Sequence, residues 1–233
     1  MAVHSINPAD TVEMWVEPGA EATFTVRLSA NPCMLVPPVV PPVVPPPPPA
    51  TPWDDVTATF PTNPTAQNPY QSPGRWATRA PAGITLHHTG SYDAYALARV
   101  CLAKSYTING VLRKGLPTTE YHIFIQTDGT ALLCVPLEQG FWHDHAGYPN
   151  SHVSIGLAGY WHKTRPPEAM IAGAALVVAY LMREYNIPLA RVVGHRDRAL
   201  PNGISTECPG WYPAPLGTNW KPDFMEALAD VRG

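Results

Sequence analysis

Two histidines and a cysteine stand where strand-like patterns give way to loops. His87 lies at the end of "GITLHH", His195 follows "RVVG", and Cys208 sits in the turn "TECPG". Loop ends beside a rigid sheet are common places for sites to be built. Two imidazoles and a thiolate suit a zinc ion and leave its fourth position for water. Such a centre lowers the pKa of bound water to about 7 and polarises a carbonyl. Plainer readings stand beside this one. A free cysteine usually behaves as a small buried apolar group, and Cys208 also reads as half of a disulfide. A scattered His, His and Cys are more often unrelated core or surface residues.

The elements that must hold these side chains follow from hydrophobic period. "GITLHHTG" is a short strand in which Thr85, His87 and Thr89 share one face and Leu86 and His88 the other. "SYDAYALARVCLAKSY" carries Tyr95, Ala98, Cys101 and Leu102 at helical spacing, with Ser91 as N-cap. "YHIFIQTDGTALLCVP" predicts two strands around the turn pair Asp128 and Gly129. "HVSIGLAGYW" and "ARVVGHRD" predict strands, and "PPEAMIAGAALVVAYLMREYNI" the longest helix, with proline at its start. "KPDFMEALADVRG" predicts a C-terminal helix. Alternating strands and helices give an α/β class, a central mixed β-sheet flanked by helices.

Ahead of this domain, placed at residues 81–233, the chain changes character. Residues 1–35 alternate apolar and polar positions (Val12, Met14, Val16, then Phe24, Val26, Leu28) on both sides of Glu17–Ala20, a small β-hairpin pattern. Two strands alone are marginal in water. That segment is therefore expected to bind another protein, the cell wall or the main domain. Residues 36–52, "VPPVVPPVVPPPPPATP", form a Pro-rich linker that favours extended polyproline II. Residues 53–80 show little periodicity and read as an extended lead-in over the surface.

Composition excludes several classes. The 233 residues carry 15 Lys and Arg against 18 Asp and Glu, a formal charge of −3. That is not the basic face of a nucleic-acid binder. No apolar run reaches the roughly 18–20 residues that span a bilayer, so no membrane insertion is expected. The N-terminus lacks a basic stretch followed by an apolar one, so synthesis in the cytoplasm without a Sec signal is expected. The four cysteines, Cys33, Cys101, Cys134 and Cys208, lie far apart. They do not resemble a disulfide framework. Cys101 and Cys134 read as core thiols, with a bridge between them the lesser alternative.

Four ordered motifs, "LHHTG", "YHIFIQTDGT", "HDHAGYPNSHVSIGLAG" and "VVGHRD…TECPG", together resemble the zinc-dependent N-acetylmuramoyl-L-alanine amidases of the type 2 amidase and peptidoglycan recognition protein family. The resemblance covers roughly residues 80–231 and leaves residues 1–70 aside. It implies a mixed sheet with a groove over zinc, and zinc ligands at His87, His195 and Cys208. His88 is then structural. It implies hydrolysis of the amide between N-acetylmuramic acid and L-alanine in peptidoglycan, as in endolysins that lyse the bacterial wall.

One subtype of that family has a glutamate at the end of the "SIGIE" strand, where this chain has Ala158. The other uses a tyrosine, which maps to Tyr121 rather than to its neighbour Glu120. Thr206 stands where phage forms carry lysine and animal forms threonine, and with Tyr121 it would stabilise the oxyanion. His145, His143 and Thr89 are the implied substrate contacts. Many members that only bind peptidoglycan have lost the cysteine ligand, and Cys208 is retained. The alternatives are a non-catalytic peptidoglycan-binding module or a particle-tethered interaction protein.

Overall fold

The computed structural model of the chain describes the strands at 12–15 and 21–24, then residues 50–63, 77–78, 80–108, 111–140, 143–144 and 151–232. The chain divides into two compact units, residues 1–48 and 49–233. In the first, β1 (Val12–Trp15) pairs antiparallel with β2 (Glu21–Phe24), Val12 opposite Phe24. The alternation of apolar residues predicts such a pair. The turn Glu17–Ala20, Val16, Val26, Leu28, Cys33 and the proline run from 36 to 49 lie outside the described residues.

The second unit is an α/β layer structure. Its elements are β3 (Asp54–Asp55), β4 (Ala77–Thr78), β5 (Gly83–His88), α1 (Ala94–Ala103), β6 (Ser105–Ile108), β7 (Val111–Lys114), β8 (Ile123–Ile125), β9 (Ala131–Leu133), β10 (Gln139–Gly140), β11 (His152–Leu157), α2 (Glu168–Glu184), β12 (Val192–Gly194), α3 (His195–Ala199) and α4 (Lys221–Arg232). Six strands form one sheet in the order β12-β5-β11-β8-β9-β3. β12, β5, β11 and β8 run parallel, β9 is antiparallel to β8, and β3 is parallel to β9. The sheet is mixed, as the pattern of elements predicts. Two small antiparallel pairs, β4 with β10 and β6 with β7, stand apart from it.

Burial explains why the central strands read as they do. β11 is buried at every position and β5 at all but His88. Strands covered on both faces lose simple alternation, so their polar members, Thr85, His152 and Ser154, are buried too. α2 buries Met170, Ile171, Ala174, Ala175, Val177, Val178, Leu181 and Met182. α4 adds Phe224 and Leu228, which join Trp211 and Trp220 in the same core. The β8–β9 turn rests directly on α2. A Cβ on Gly129 would collide with the Ala169 carbonyl, and one on Gly173 with the Gly129 carbonyl. Gly129 also has φ +90°, so both space and backbone require glycine there. Among the described residues no helix is long and apolar enough to cross a membrane.

Three local expectations change. The N-cap of α1 is Asp93, whose Oδ1 accepts the Ala96 N–H at 2.8 Å, while Ser91 Oγ donates to the Asp93 carbonyl. "ARVVGHRD" is not one strand. β12 stops at Gly194, and the Asp197 carboxylate accepts the Gly194 N–H at 2.9 Å, which turns His195 into the first residue of α3. The lead-in is more than a surface strap. Asp54–Asp55 extends the sheet edge beside β9, Trp53 meets Tyr180 edge-on, and Phe60 is buried in the core.

Candidate metal centre

β5, α3 and the loop after α3 bring His87, His195 and Cys208 together at the carboxyl ends of parallel strands. Open α/β sheets characteristically place their ligands there. One ligating atom from each residue lies within 4.8 Å of the other two. Cys208 Sγ is 3.8 Å from His87 Nδ1, and the rings of His87 and His195 have centroids 4.6 Å apart. Zinc bonds of about 2.1 Å to nitrogen and 2.3 Å to sulfur, at a tetrahedral angle, separate the two ligand atoms by about 3.6 Å. The donor set and its spacing therefore fit a zinc ion.

The loop that carries Cys208 is tied to the first turn of α3. The Cys208 carbonyl accepts the Arg196 N–H at 2.9 Å, and Arg196 Nη1 donates to the Thr206 carbonyl at 2.7 Å. Thr206 Oγ1 accepts the Cys208 N–H at 3.2 Å. His88 donates its backbone N–H to Cys208 Sγ at 3.3 Å. Burial pushes the Cys208 thiol up to about 12, against a smaller opposite effect from that N–H. Such a thiol keeps its proton at neutral pH unless a cation ionises it, as a divalent metal does outright.

Tyr121 stands beside His87 of this cluster. Its ring is 5.3 Å from that of His87, edge to face. It precedes β8 rather than lying in it, and it packs over bare backbone. Gly156, paired with His87 across the β5–β11 ladder, has no side chain to block it. A Cβ there would come 2.8 Å from Tyr121 Cγ and 2.6 Å from Thr89 Cγ2. Glu120 acts elsewhere: its charge, after burial, helps to push the Cys101 thiol up to about 12. Ala158 is fully buried. Thr89 Oγ1 donates to the Ser91 carbonyl at 2.6 Å and accepts N–H groups of Ser91 and Gly159, which knits together the loops after β5 and β11. His145 lies outside the described residues.

His88 turns away from the three donors. Its ring packs 4.3 Å from Tyr160, and burial lowers its pKa to about 4. Cys101, Cys134 and Cys208 are all free thiols.

Polar groups behind the cluster form a layer that the motif reading did not resolve. His143, which the resemblance implies as a substrate contact, has a fully buried side chain behind His87. His143 Nδ1 lies 3.2 Å from His87 Nε2, and His143 Nε2 lies 3.1 Å from the His152 carbonyl. Burial lowers the His143 pKa, with Asp144 acting in the opposite direction. Asp144 is 0% exposed; its Oδ2 accepts from Arg198 Nε at 3.0 Å and from Thr85 Oγ1 at 3.1 Å. Thr85 Oγ1 is also 3.0 Å from His152 Nδ1. A buried carboxylate is tolerated only with such partners. The available signals were the polar Thr85, His152 and Ser154 within the short strands β5 and β11, and Arg198 three residues after His195.

A family model described as N-acetylmuramoyl-L-alanine amidase matches residues 77–211, more than half of the chain. No curated protein matches it. Among solved structures, the Ph2119 endolysin from the Thermus scotoductus MAT2119 bacteriophage Ph2119 is similar with a TM-score of 0.50 at 17% identity, over 68% of this chain and 93% of that one. The endolysin N-acetylmuramoyl-L-alanine amidase LysCS from Clostridium intestinale URNW has a TM-score of 0.49 at 23% identity, over 67% and 90%. The Drosophila peptidoglycan recognition protein SD has 0.49 at 16%, over 68% and 89%. At these identities the likeness to the Ph2119 endolysin speaks for the fold.

Proposed function

The chain belongs to the N-acetylmuramoyl-L-alanine amidase family, and from that premise we propose that it is a zinc-dependent hydrolase of the amide between N-acetylmuramic acid and L-alanine in peptidoglycan. The observation that carries this reading is the convergence of His87, His195 and Cys208, three donors from separate segments, within 4.8 Å. Zinc held by them would supply Lewis-acid polarisation of the scissile carbonyl and a lowered pKa for water. The chain's own groups do the rest. Tyr121, seated over Gly156 beside His87, offers a phenol to the developing oxyanion. Thr206 Oγ1 accepts the Cys208 N–H and keeps its own hydrogen to donate. His145, His143 and Thr89 are the residues that the family resemblance sets toward the glycan or stem peptide. Ala158 has no proton to give or take, so a carboxylate base at that position plays no part.

In this reading the protein is an endolysin-like enzyme that acts on the bacterial cell wall. Residues 1–35 engage a partner or the wall, and residues 36–52 act as spacer to the amidase domain at 81–233. The test is incubation with purified peptidoglycan, with and without a chelator, while new L-alanine amino termini are measured. Zinc-dependent release of termini is expected. Zinc near one per chain without new termini would leave a binding module, and release of reducing sugar would mean a glycosidase.

A further inference from the structure

We propose that His143 is a positioning residue that fixes the orientation and tautomer of His87, so that Nδ1 of His87 faces the metal. The inference rests on the zinc reading above and concerns a residue that the motifs alone would assign to substrate contact.

The hydrogens can be followed along the chain of contacts. The His152 carbonyl only accepts, so His143 Nε2, 3.1 Å away, carries the hydrogen. His143 Nδ1 is then a lone-pair nitrogen. His87 Nε2, 3.2 Å from it, donates into it. Nδ1 of His87 then carries no hydrogen, and it is the nitrogen 3.8 Å from Cys208 Sγ. Metal-binding histidines need their second nitrogen held by a fixed acceptor, usually a carboxylate or carbonyl. Here a second imidazole takes that place.

His143 is itself held on two sides. Its outer nitrogen is anchored on β11 through the His152 carbonyl. Its chain neighbour Asp144 is clamped by Arg198 of α3 and Thr85 of β5 at 3.0 and 3.1 Å. Arg198 is one turn beyond His195, and Thr85 is two residues before His87. The segment behind His87 is thus pinned to both elements that carry the histidine ligands.

The test uses the full chain and zinc alone. Zinc affinity is measured by competition with a chromophoric chelator for wild type, H143L and H143N. Asparagine places a carbonyl oxygen close to the position of the histidine Nδ1. Loss of the acceptor in H143L should weaken zinc binding by about 10- to 100-fold, and H143N should recover most of it. Long-range proton–nitrogen correlation spectra of zinc-loaded wild type should show His87 with Nδ1 metal-bound and Nε2 protonated. These spectra and H143N carry the test if H143L does not fold. Metal on Nε2 of His87, unchanged affinity in H143L, or H143N as weak as a folded H143L would each overturn the inference. In all three results wild type still takes up zinc, and the zinc reading survives. Failure of wild type to bind zinc overturns both.

Discussion

His87 and His122 flank the same imidazole, His143, with ring centroids 5.3 and 6.2 Å from it. Both are buried, at 2% and 1% exposure. They differ in what meets their nitrogens. The Ser154 N–H donates to His122 Nδ1 at 2.9 Å, and His122 Nε2 donates to the Gln139 carbonyl at 2.8 Å. The nitrogens of His87 face side chains, Cys208 on one side and His143 on the other. Backbone partners commit His122 to holding three segments together. His87 meets side chains instead, and the proposed site gives one of its nitrogens to the metal. Residue type and burial are the same, so only the partners separate a structural histidine from a chemical one.

Removing Cys208 breaks this contrast most sharply. Cys208→Ala should abolish hydrolysis and weaken zinc binding by more than about 100-fold, because a lost ligand costs more than a lost supporting contact. Zinc content by mass spectrometry, with the amino-terminus assay, reads both. His122→Gln should keep zinc near one per chain. Equal zinc loss in the two variants would erase the distinction between the regions.

Tyr121→Phe comes next. The ring stays over Gly156, so zinc content should hold while kcat falls about 100- to 1,000-fold, the usual effect of deleting one oxyanion donor. An unchanged kcat would remove the phenol from the mechanism and reduce Tyr121 to packing beside His87.

The same contrast explains what the sequence could and could not tell. The sheet and the helices were legible because apolar period marks them locally, and the convergence of His87, His195 and Cys208 was legible only through the resemblance that four ordered motifs carry. The Asp93 cap and the break at Gly194 were not, since each depends on which nearby carboxylate reaches a backbone N–H. The burial of His143 was not legible for a related reason. A polar residue next to a histidine-rich loop reads as exposed. Only the register of β5 against β11 shows that Thr85, His152 and Ser154 face inward with it. Asp54–Asp55, two exposed acids, carry no pattern that marks a sheet edge.

A smaller effect, in acid, belongs to His122. Burial first, and His143 second, hold its pKa near 3, against an ordinary 6.5. Below pH 6.5 the unfolded chain takes up this proton and the folded chain does not. Stability therefore falls as pH drops from about 6.5 towards 3, by up to about 1.4 kcal/mol per pH unit from this group. His88 and His152, both held near 4, add to the slope. The difference between wild type and His122→Gln isolates one residue. Urea melts at pH 7, 6, 5 and 4 should give the variant a shallower loss by about one proton. Parallel slopes would mean that burial does not hold His122 neutral in the folded chain.

Thr206 tests the comparison from within the Cys208 loop, because the proposed mechanism gives it both kinds of work at once. Its oxygen accepts the Cys208 N–H, as His122 Nδ1 accepts that of Ser154, yet its hydrogen remains available to a reacting group. Thr206→Val removes both functions at nearly constant volume. A neutral hydrogen bond is worth about 0.5–1.5 kcal/mol, or roughly 2- to 10-fold. Zinc affinity and the kcat of the zinc-loaded enzyme should each fall by about that factor, and Thr206→Ser should restore both. If zinc affinity alone moves, Thr206 holds the Cys208 loop as His122 holds its strands, and Tyr121 is left to stabilise the oxyanion. If kcat alone moves, the Cys208 N–H contact is dispensable, and the threonine acts as the phage lysine would, by donating to the reacting carbonyl.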